Sequence, residues 1–377
     1  MKLIFIVFAS IITISFYAKL TTCSSLRSKK PVVIAHRGAS GYLPEHTFQA
    51  KVMAYVMGGD YLEQDLVLTK DNIPIVLHDI YLDDVTDVAT SRFSNRTRKD
   101  GRYYAIDFTL SEIKELNVSE RFKTTAPFDA YYPLRFPKWQ SKFEISTFKE
   151  ELELIKGLEK SLRQSANFNN RVVGIYPEIK EPEFHNKEGR TNFTQIVLQM
   201  LNEFNYTKST DPIILQCFDP FELIKIRNSL KSNLTAVFLM DTVSDDPRIN
   251  YTYWASEEGL RNISQYVQGI GPEKGQLIVL DSLSKKYLRP SELTINAKKL
   301  GLLIHPYTFR VDSLPPYVNN FDELLHIFID EVKVDGVFSD FPDWTVEYLK
   351  KNNGERLSMK FNLTYLTIFF SIFKSLF

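Results

Sequence analysis

The chain has 377 residues, with 46 Lys plus Arg against 46 Asp plus Glu, so its formal charge at pH 7 is zero. That balance argues against a nucleic-acid binder, which needs a basic face to neutralise phosphates, but it leaves room for a local phosphate pocket. Hydrophobic residues at 44% and charged residues at 24% describe a folded chain, and two cysteines, Cys23 and Cys217, are too few for a disulfide scaffold or a thiolate zinc site.

Lys2 precedes an apolar run over residues 3–17, and residues 1–24 therefore read as a secretory signal peptide. An uncleaved anchor helix would need about 20 apolar residues. Leu20-Thr21-Thr22-Cys23 fits a bacterial lipoprotein box poorly. Cleavage beyond Cys23 leaves Cys217 alone, with no internal disulfide.

From residue 31 onward, short β-branched runs alternate with helix-like segments. Strands are expected over 32–35, 61–69, 172–179, 212–218, 234–240, 266–271, 300–307 and 334–338. Helices are expected over 45–57, 147–162, 191–204, 219–230, 257–265, 289–299 and 320–332. Asp219-Pro220 supplies an N-cap with proline at N1, and Gly58-Gly59 closes the first helix. Strands that are continuous apolar runs imply a buried parallel sheet, and eight of them separated by helices predict an α/β fold, a (β/α)₈ TIM barrel over residues 31–350. Residues 80–146 carry many aromatics and little periodicity, the mark of a lid-like insertion, and 272–290 is a shorter excursion.

Asn-x-Ser/Thr occurs at Asn95, Asn117, Asn192, Asn205, Asn233, Asn250, Asn262 and Asn362, more often than chance placement predicts. The expectation is a eukaryotic secretory route and an N-glycosylated product, secreted or at the cell surface. Residues 352–377 run from Asn352-Asn353-Gly354 through a polar spacer to an apolar tail, the outline of a GPI-attachment signal. An amphipathic docking helix is the alternative. Any membrane association is expected through that lipid anchor alone.

The ionisable residues fall at strand ends. His36-Arg37-Gly38-Ala39 follows the first strand directly. Glu63 and Asp65 lie two apart on the second, so they share a face about 7 Å apart along the chain. His78-Asp79 ends a strand-like run over 73–77, Glu178 and Lys180 end the third strand, Gln216 the fourth and His305 the seventh, and Asp340 follows the eighth. In a barrel those ends converge on one mouth. Glu63, Asp65 and Glu178, with no cysteine among them, favour one hard divalent cation, Ca²⁺ ahead of Mg²⁺. Arg37 offers a forked donor for phosphate oxygens and Lys180 a second positive charge. His36 and His78 can move one proton onto a leaving alkoxide and another off a nucleophile. Together they read as metal-assisted cleavage of a phosphodiester.

The strings Val33-Ile34-Ala35-His36-Arg37-Gly38-Ala39-Ser40, Pro44-Glu45-His46-Thr47, Glu63-Gln64-Asp65 and His78-Asp79 resemble the glycerophosphodiester phosphodiesterase family, in particular its periplasmic bacterial branch. The similarity continues through Arg98-Lys99-Asp100-Gly101-Arg102-Tyr103-Tyr104, Tyr176-Pro177-Glu178-Ile179-Lys180, Leu215-Gln216-Cys217-Phe218, Gly269-Ile270-Gly271-Pro272, His305-Pro306-Tyr307-Thr308 and Ser339-Asp340-Phe341-Pro342. The resemblance implies a (β/α)₈ barrel, a bound divalent cation and release of glycerol 3-phosphate plus an alcohol. It matches the metal ligands to Glu63, Asp65 and Glu178, the acid/base pair to His36 and His78, and the phosphate contacts to Arg37 and Lys180. Glu45 matches an acidic position near the metal, and Phe218, Tyr307 and Phe341 fall where the family lines the glycerol and leaving-group end. Glu181 and Glu183 are more acidic than that pattern and bear on leaving-group preference.

The expected substrate is a small glycerophosphodiester such as glycerophosphocholine. Two rivals stand beside that reading. A lysophospholipase D-like or sphingolipid phosphodiesterase would need an apolar acyl groove, and a surface adhesin on an inherited barrel would tolerate lost ligands. His46, His185 and His326 read as structural, and Cys217 as a small buried hydrophobe.

Overall fold

The computed structural model describes residues 30–125, 129–165 and 171–352. The expected signal peptide, the sequon at Asn362 and all of the expected tail beyond Asn352 lie outside the described residues.

Eight parallel strands form the barrel: β1 (Val32–Ala35), β2 (Tyr61–Leu68), β3 (Gly174–Ile179), β4 (Ile214–Cys217), β5 (Thr235–Met240), β6 (Gly269–Pro272), β7 (Leu303–Ile304) and β8 (Gly336–Ser339). Their spatial order, β7-β6-β5-β4-β3-β2-β1-β8, is sequential but for the last, as a singly wound barrel requires. The seam between β7 and β8 is spanned by Asp335 N–H to the Ile304 carbonyl (3.0 Å) and Phe338 N–H to the Pro306 carbonyl (3.1 Å). Ile34, Tyr176, Ile214, Val237 and Phe338 pack together along the axis. A far larger apolar cluster, with Leu62, Leu215, Phe238 and Ile270 among its members, fills the space between strands and helices. A strand sandwiched in this way has no polar face to show, which is why the strands read as continuous apolar runs.

Caps set the helix starts. The first helix is Phe48–Met57, three residues later than expected, because His46 takes a left-handed conformation (φ 60°) and Thr47 accepts from the Ala50 amide. Thr147 with Glu150 makes a capping box ahead of Phe148–Leu162, and Asp219 accepts from Phe221 and Glu222 ahead of Pro220–Asn228. The segment expected as one helix over 320–332 is Phe321–Leu325 continued by a π-helical turn, His326–Glu331. The helix expected over 191–204 is Phe193–Glu203, preceded by a short helix, Pro182–Lys187, that was not expected. β7 is shorter than the expected 300–307, since Gly301 (φ 73°) ends the preceding helix and Pro306 has no N–H for the ladder. A final helix, Pro342–Asn352, was not expected from its mixed polar pattern.

The hairpin strand Pro74–Val76 runs antiparallel to β2, with Leu66 opposite Val76. His78 therefore does not stand at the end of a barrel strand. The return strand brings it back down beside Asp65, whose carbonyl accepts from Leu77 N–H at 2.9 Å.

The insertion over 80–146 has only short helical turns and isolated bridges, yet it holds a core of its own. Leu82, Val88, Phe93, Phe108, Ile113 and Phe143 pack with Val67 and Ile75 of the hairpin. It is a packed cap, set beside the mouth.

Candidate active site

Alternation along β2 turns Glu63 and Asp65 to the same side, and both line one cavity of about 250 Å³ at the mouth. Glu178 joins them from β3, where it pairs in register with Asp65. All three are buried. Glu63 Oε2 accepts the Arg37 amide at 2.6 Å, and Oε1 faces Gln216 Nε2 at 3.4 Å. Lys180 Nζ stands 3.1 Å from Glu178 Oε1 and 4.0 Å from Asp65 Oδ1.

Burial and then the Asp65 charge push the Glu63 carboxyl well above its usual range. Burial also raises Glu178, against the pull of Lys180. Asp65 is buried too, but Lys180, His78 and His46 outweigh that cost and hold it well below the usual range. Two carboxyls that resist ionisation beside a third that is ionised are what a divalent cation would relieve. Gln216 Oε1, buried without a hydrogen-bond partner, is a further oxygen nearby. The donor chemistry fits a hard cation.

Among the described residues, one group could close on an ion with all its donor atoms within 4.8 Å: His46, Glu63 and Asp65. Glu63 and Asp65 are thus common to this group and to the expected triad. His46 has both ring nitrogens engaged, Nε2 with Asp65 Oδ2 at 2.7 Å and Nδ1 with Lys51 Nζ at 3.3 Å. It braces Asp65 from behind. Lys51, fully buried, also donates to the Glu63 carbonyl and pairs with Glu151 at 3.4 Å. Nothing in the spacing of Lys51 or Glu151 marked them: Lys51 sits on the helix just before β2 and Glu151 on one far along the chain, and only the fold brings both beneath Glu63.

The two histidines are held alike. His36 Nδ1 lies 2.6 Å from Asp340 Oδ1, and His78 Nδ1 lies 2.8 Å from Asp79 Oδ1. In a neutral ring the Nδ1 proton goes to the carboxylate, which leaves the lone pair on Nε2. Burial and then the Arg37 charge lower His36 to about 4, and burial with Arg37 and Lys180 lowers His78. Both line the cavity.

Arg37, at φ 58°, turns its guanidinium to Glu45, with 3.1 and 3.0 Å to the two oxygens, and its Nε is buried without a hydrogen bond. Gly38 follows at φ 88°, and a Cβ there would meet the Ala50 backbone at 2.8 Å, so only glycine lets this turn close. Glu45 lies behind Arg37, off the helix N-terminus, where Arg121 and Arg37 hold its carboxyl well below the usual range despite burial.

Phe218 and Tyr307 line the cavity with ring centroids 5.8 Å apart. Phe341 and Glu45 are not among its lining residues. Phe341 packs edge-on to Tyr42 at 5.2 Å. His305 turns toward the opposite end of the barrel, bonds the Tyr176 hydroxyl at 3.0 Å, and is lowered by burial to about 3. Glu181 and Glu183 also lie off the cavity, and Glu183 faces Arg248 at 3.4 Å. Glu273, Lys274 and Arg310 line the cavity although no motif singled them out; they come from the loops after β6 and β7.

Residues 36–344 match the model of the glycerophosphoryl diester phosphodiesterase family. A glycerophosphodiester phosphodiesterase of Haemophilus influenzae is 41% identical over 343 residues, covering 87% of this chain and 92% of that protein. One of Treponema pallidum is 36% identical, covering 89% and 95%. Among solved structures, a putative glycerophosphoryl diester phosphodiesterase from Silicibacter pomeroyi superposes with TM-score 0.62 at 21% identity, over 87% of this chain and 96% of that one. A phosphodiesterase from Oleispira antarctica, solved in complex with the product sn-glycerol-3-phosphate, superposes with TM-score 0.53 at 19% identity, over 85% and 97%. These structures share the barrel. The chain therefore belongs to the glycerophosphoryl diester phosphodiesterase family and is an enzyme on a (β/α)₈ barrel.

Proposed function

We propose that this enzyme cleaves glycerophosphodiesters such as glycerophosphocholine to sn-glycerol 3-phosphate and an alcohol. In this reading Glu63, Asp65 and Glu178 hold one divalent cation and His36 and His78 form the acid/base pair. The observation that carries it is the meeting of buried carboxylates, the Arg37 and Lys180 side chains and two carboxylate-braced imidazoles on one cavity. When bound, the cation supplies charge that offsets what builds on the phosphoryl oxygens. Arg37 and Lys180 reach the same oxygens from the rim and orient the diester. One imidazole removes a proton from the nucleophile with its Nε2 lone pair, while the other, which must enter the step protonated at Nε2, gives that proton to the departing alcohol. Three protein carboxylates favour Ca²⁺ over Mg²⁺, which keeps several waters and usually takes only one or two carboxylates.

The cavity supports a headgroup-sized substrate over a lysophospholipid. Its apolar lining is Phe218, Leu239, Tyr307 and Phe338, too little surface to make a groove for a long acyl chain. Phe218 and Tyr307 would face the glycerol or leaving-group end. Secretion with N-glycosylation is supported by Asn95, Asn192, Asn205, Asn233 and Asn250, which are all exposed. Attachment through a C-terminal lipid is part of the same reading; release from cells by a phosphatidylinositol-specific phospholipase tests it, and retention counts against it.

The deciding assay is glycerol 3-phosphate release from glycerophosphocholine by purified protein. Chelator should abolish it and Ca²⁺ should restore it more fully than Mg²⁺. No release under any of these conditions overturns the reading.

A further inference from the structure

The 80–146 insertion places two arginines behind the two histidines in matching geometry. Asp79 gives Oδ1 to His78 and Oδ2 to Arg121 Nη1, at 2.8 and 2.7 Å. Asp340 gives Oδ1 to His36 and Oδ2 to Arg135 Nη2, both at 2.6 Å. Each carboxylate is thus held between one imidazole and one guanidinium from the insertion. Each arginine is in turn pinned by a second acid through a two-point fork. Arg121 reaches Glu45 at 3.0 and 2.6 Å, and Arg135 reaches Asp312 at 2.7 and 3.2 Å. Arg135 also donates to the Ser40 carbonyl at 3.2 Å and is stacked over Tyr132 at 3.7 Å. Neither arginine lines the cavity, so neither meets the substrate directly.

We infer that Arg121 and Arg135 are positioning residues: the insertion fixes the orientation of both catalytic histidines through Asp79 and Asp340. This rests on the proposed acid/base roles of His36 and His78. A carboxylate with a free second oxygen can rotate about its Cβ–Cγ bond and let the imidazole swing, whereas one whose second oxygen is tied to a rigid guanidinium cannot. The two arms differ in one respect. Asp340 has a second guanidinium, Arg310 Nε at 2.7 Å, while among the described residues Asp79 has only Arg121 at comparable distance. Arg121 also ties Glu45, which orders Arg37. Loss of Arg135 therefore acts on His36 alone, and loss of Arg121 acts on His78 and on phosphate binding together.

The test is steady-state kinetics on the full enzyme with its metal, with Arg121→Gln, Arg135→Gln, His36→Ala and His78→Ala in parallel. Arg135→Gln leaves Asp340 tied to Arg310, so it should lower kcat by about threefold or more with KM within about twofold of wild type. Arg121→Gln should lower kcat by more and raise KM as well. Arg135→Lys, which keeps the charge but not the fork, should recover part of the loss. Should Arg135→Gln fail to fold, Asp312→Asn releases the outer end of the fork while leaving the arginine in place, and the same kcat loss at constant KM is expected. Near-normal kcat in the arginine variants, with both histidine variants inactive, overturns this inference and leaves the acid/base assignment standing. Active histidine variants overturn the assignment itself.

Discussion

The barrel and its insertion meet at the same cavity but contribute by different physics. The barrel contributes through strand alternation: Glu63, Asp65 and Glu178 point inward because their neighbours on each strand must point outward into apolar packing. The insertion contributes through long-range ion pairing. Arg121 and Arg135 reach Asp79 and Asp340 from a loop-rich cap whose own core, built around Phe108 and Phe93, holds its backbone in place. A regular sheet can aim side chains by periodicity alone, while an irregular segment must buy rigidity with a separate core.

If the chemistry belongs to the barrel mouth, His36→Ala and His78→Ala should each lower kcat by roughly 10²–10⁴ while the circular-dichroism spectrum stays native. Near-normal turnover in both would break the comparison at its centre. The next effect is on stability. Phe108 is fully buried in the core of the insertion, and Phe108→Ala should cost about 3–5 kcal/mol there. Native-state hydrogen exchange should show protection lost over the insertion and kept in β2, β3 and β5. Equal loss in the barrel would mean the two regions unfold as one unit.

The smallest effect concerns Glu120, buried in the insertion beside Arg121 with Oε2 unpartnered. Burial, then the Glu45 charge, pushes its carboxyl up to about 8. The folded state then keeps a proton that the unfolded chain releases near pH 4.5, so stability falls as pH rises from there toward 8. Glu120→Gln should remove that slope and raise the melting temperature at pH 8 by roughly 2 °C or more, with little change at pH 4.5. Parallel melting curves for variant and wild type across this range would show that the carboxyl is ionised in the fold.

Much of the barrel was legible because its signals are local. Apolar runs placed seven of the eight strands to within three residues at each end, and Thr47, Thr147 and Asp219 cap helices as residues of their type do. β7 was the exception, reduced to Leu303–Ile304 by a glycine and a proline at its ends. Alternation along β2 was a sound guide for Glu63 and Asp65, and position at a strand end was one for Glu178 and Lys180 but a poor one for His305, which faces the far end. His46 illustrates the limit most plainly. On sequence it reads as a structural histidine, and its place against Asp65 follows only from the left-handed turn that ends before Thr47.

By itself the sequence determined the alternation of strands and helices, the face shared by Glu63 and Asp65, and the residue types for phosphodiester chemistry, since each depends on neighbours a few positions away. The tertiary structure alone decided that His78 returns on an antiparallel strand, that Phe341 packs behind the cavity, and that Arg121 and Arg135 stand behind the histidines. Those facts join residues as much as 304 positions apart, and ion pairs across such a span leave no periodic trace in the chain.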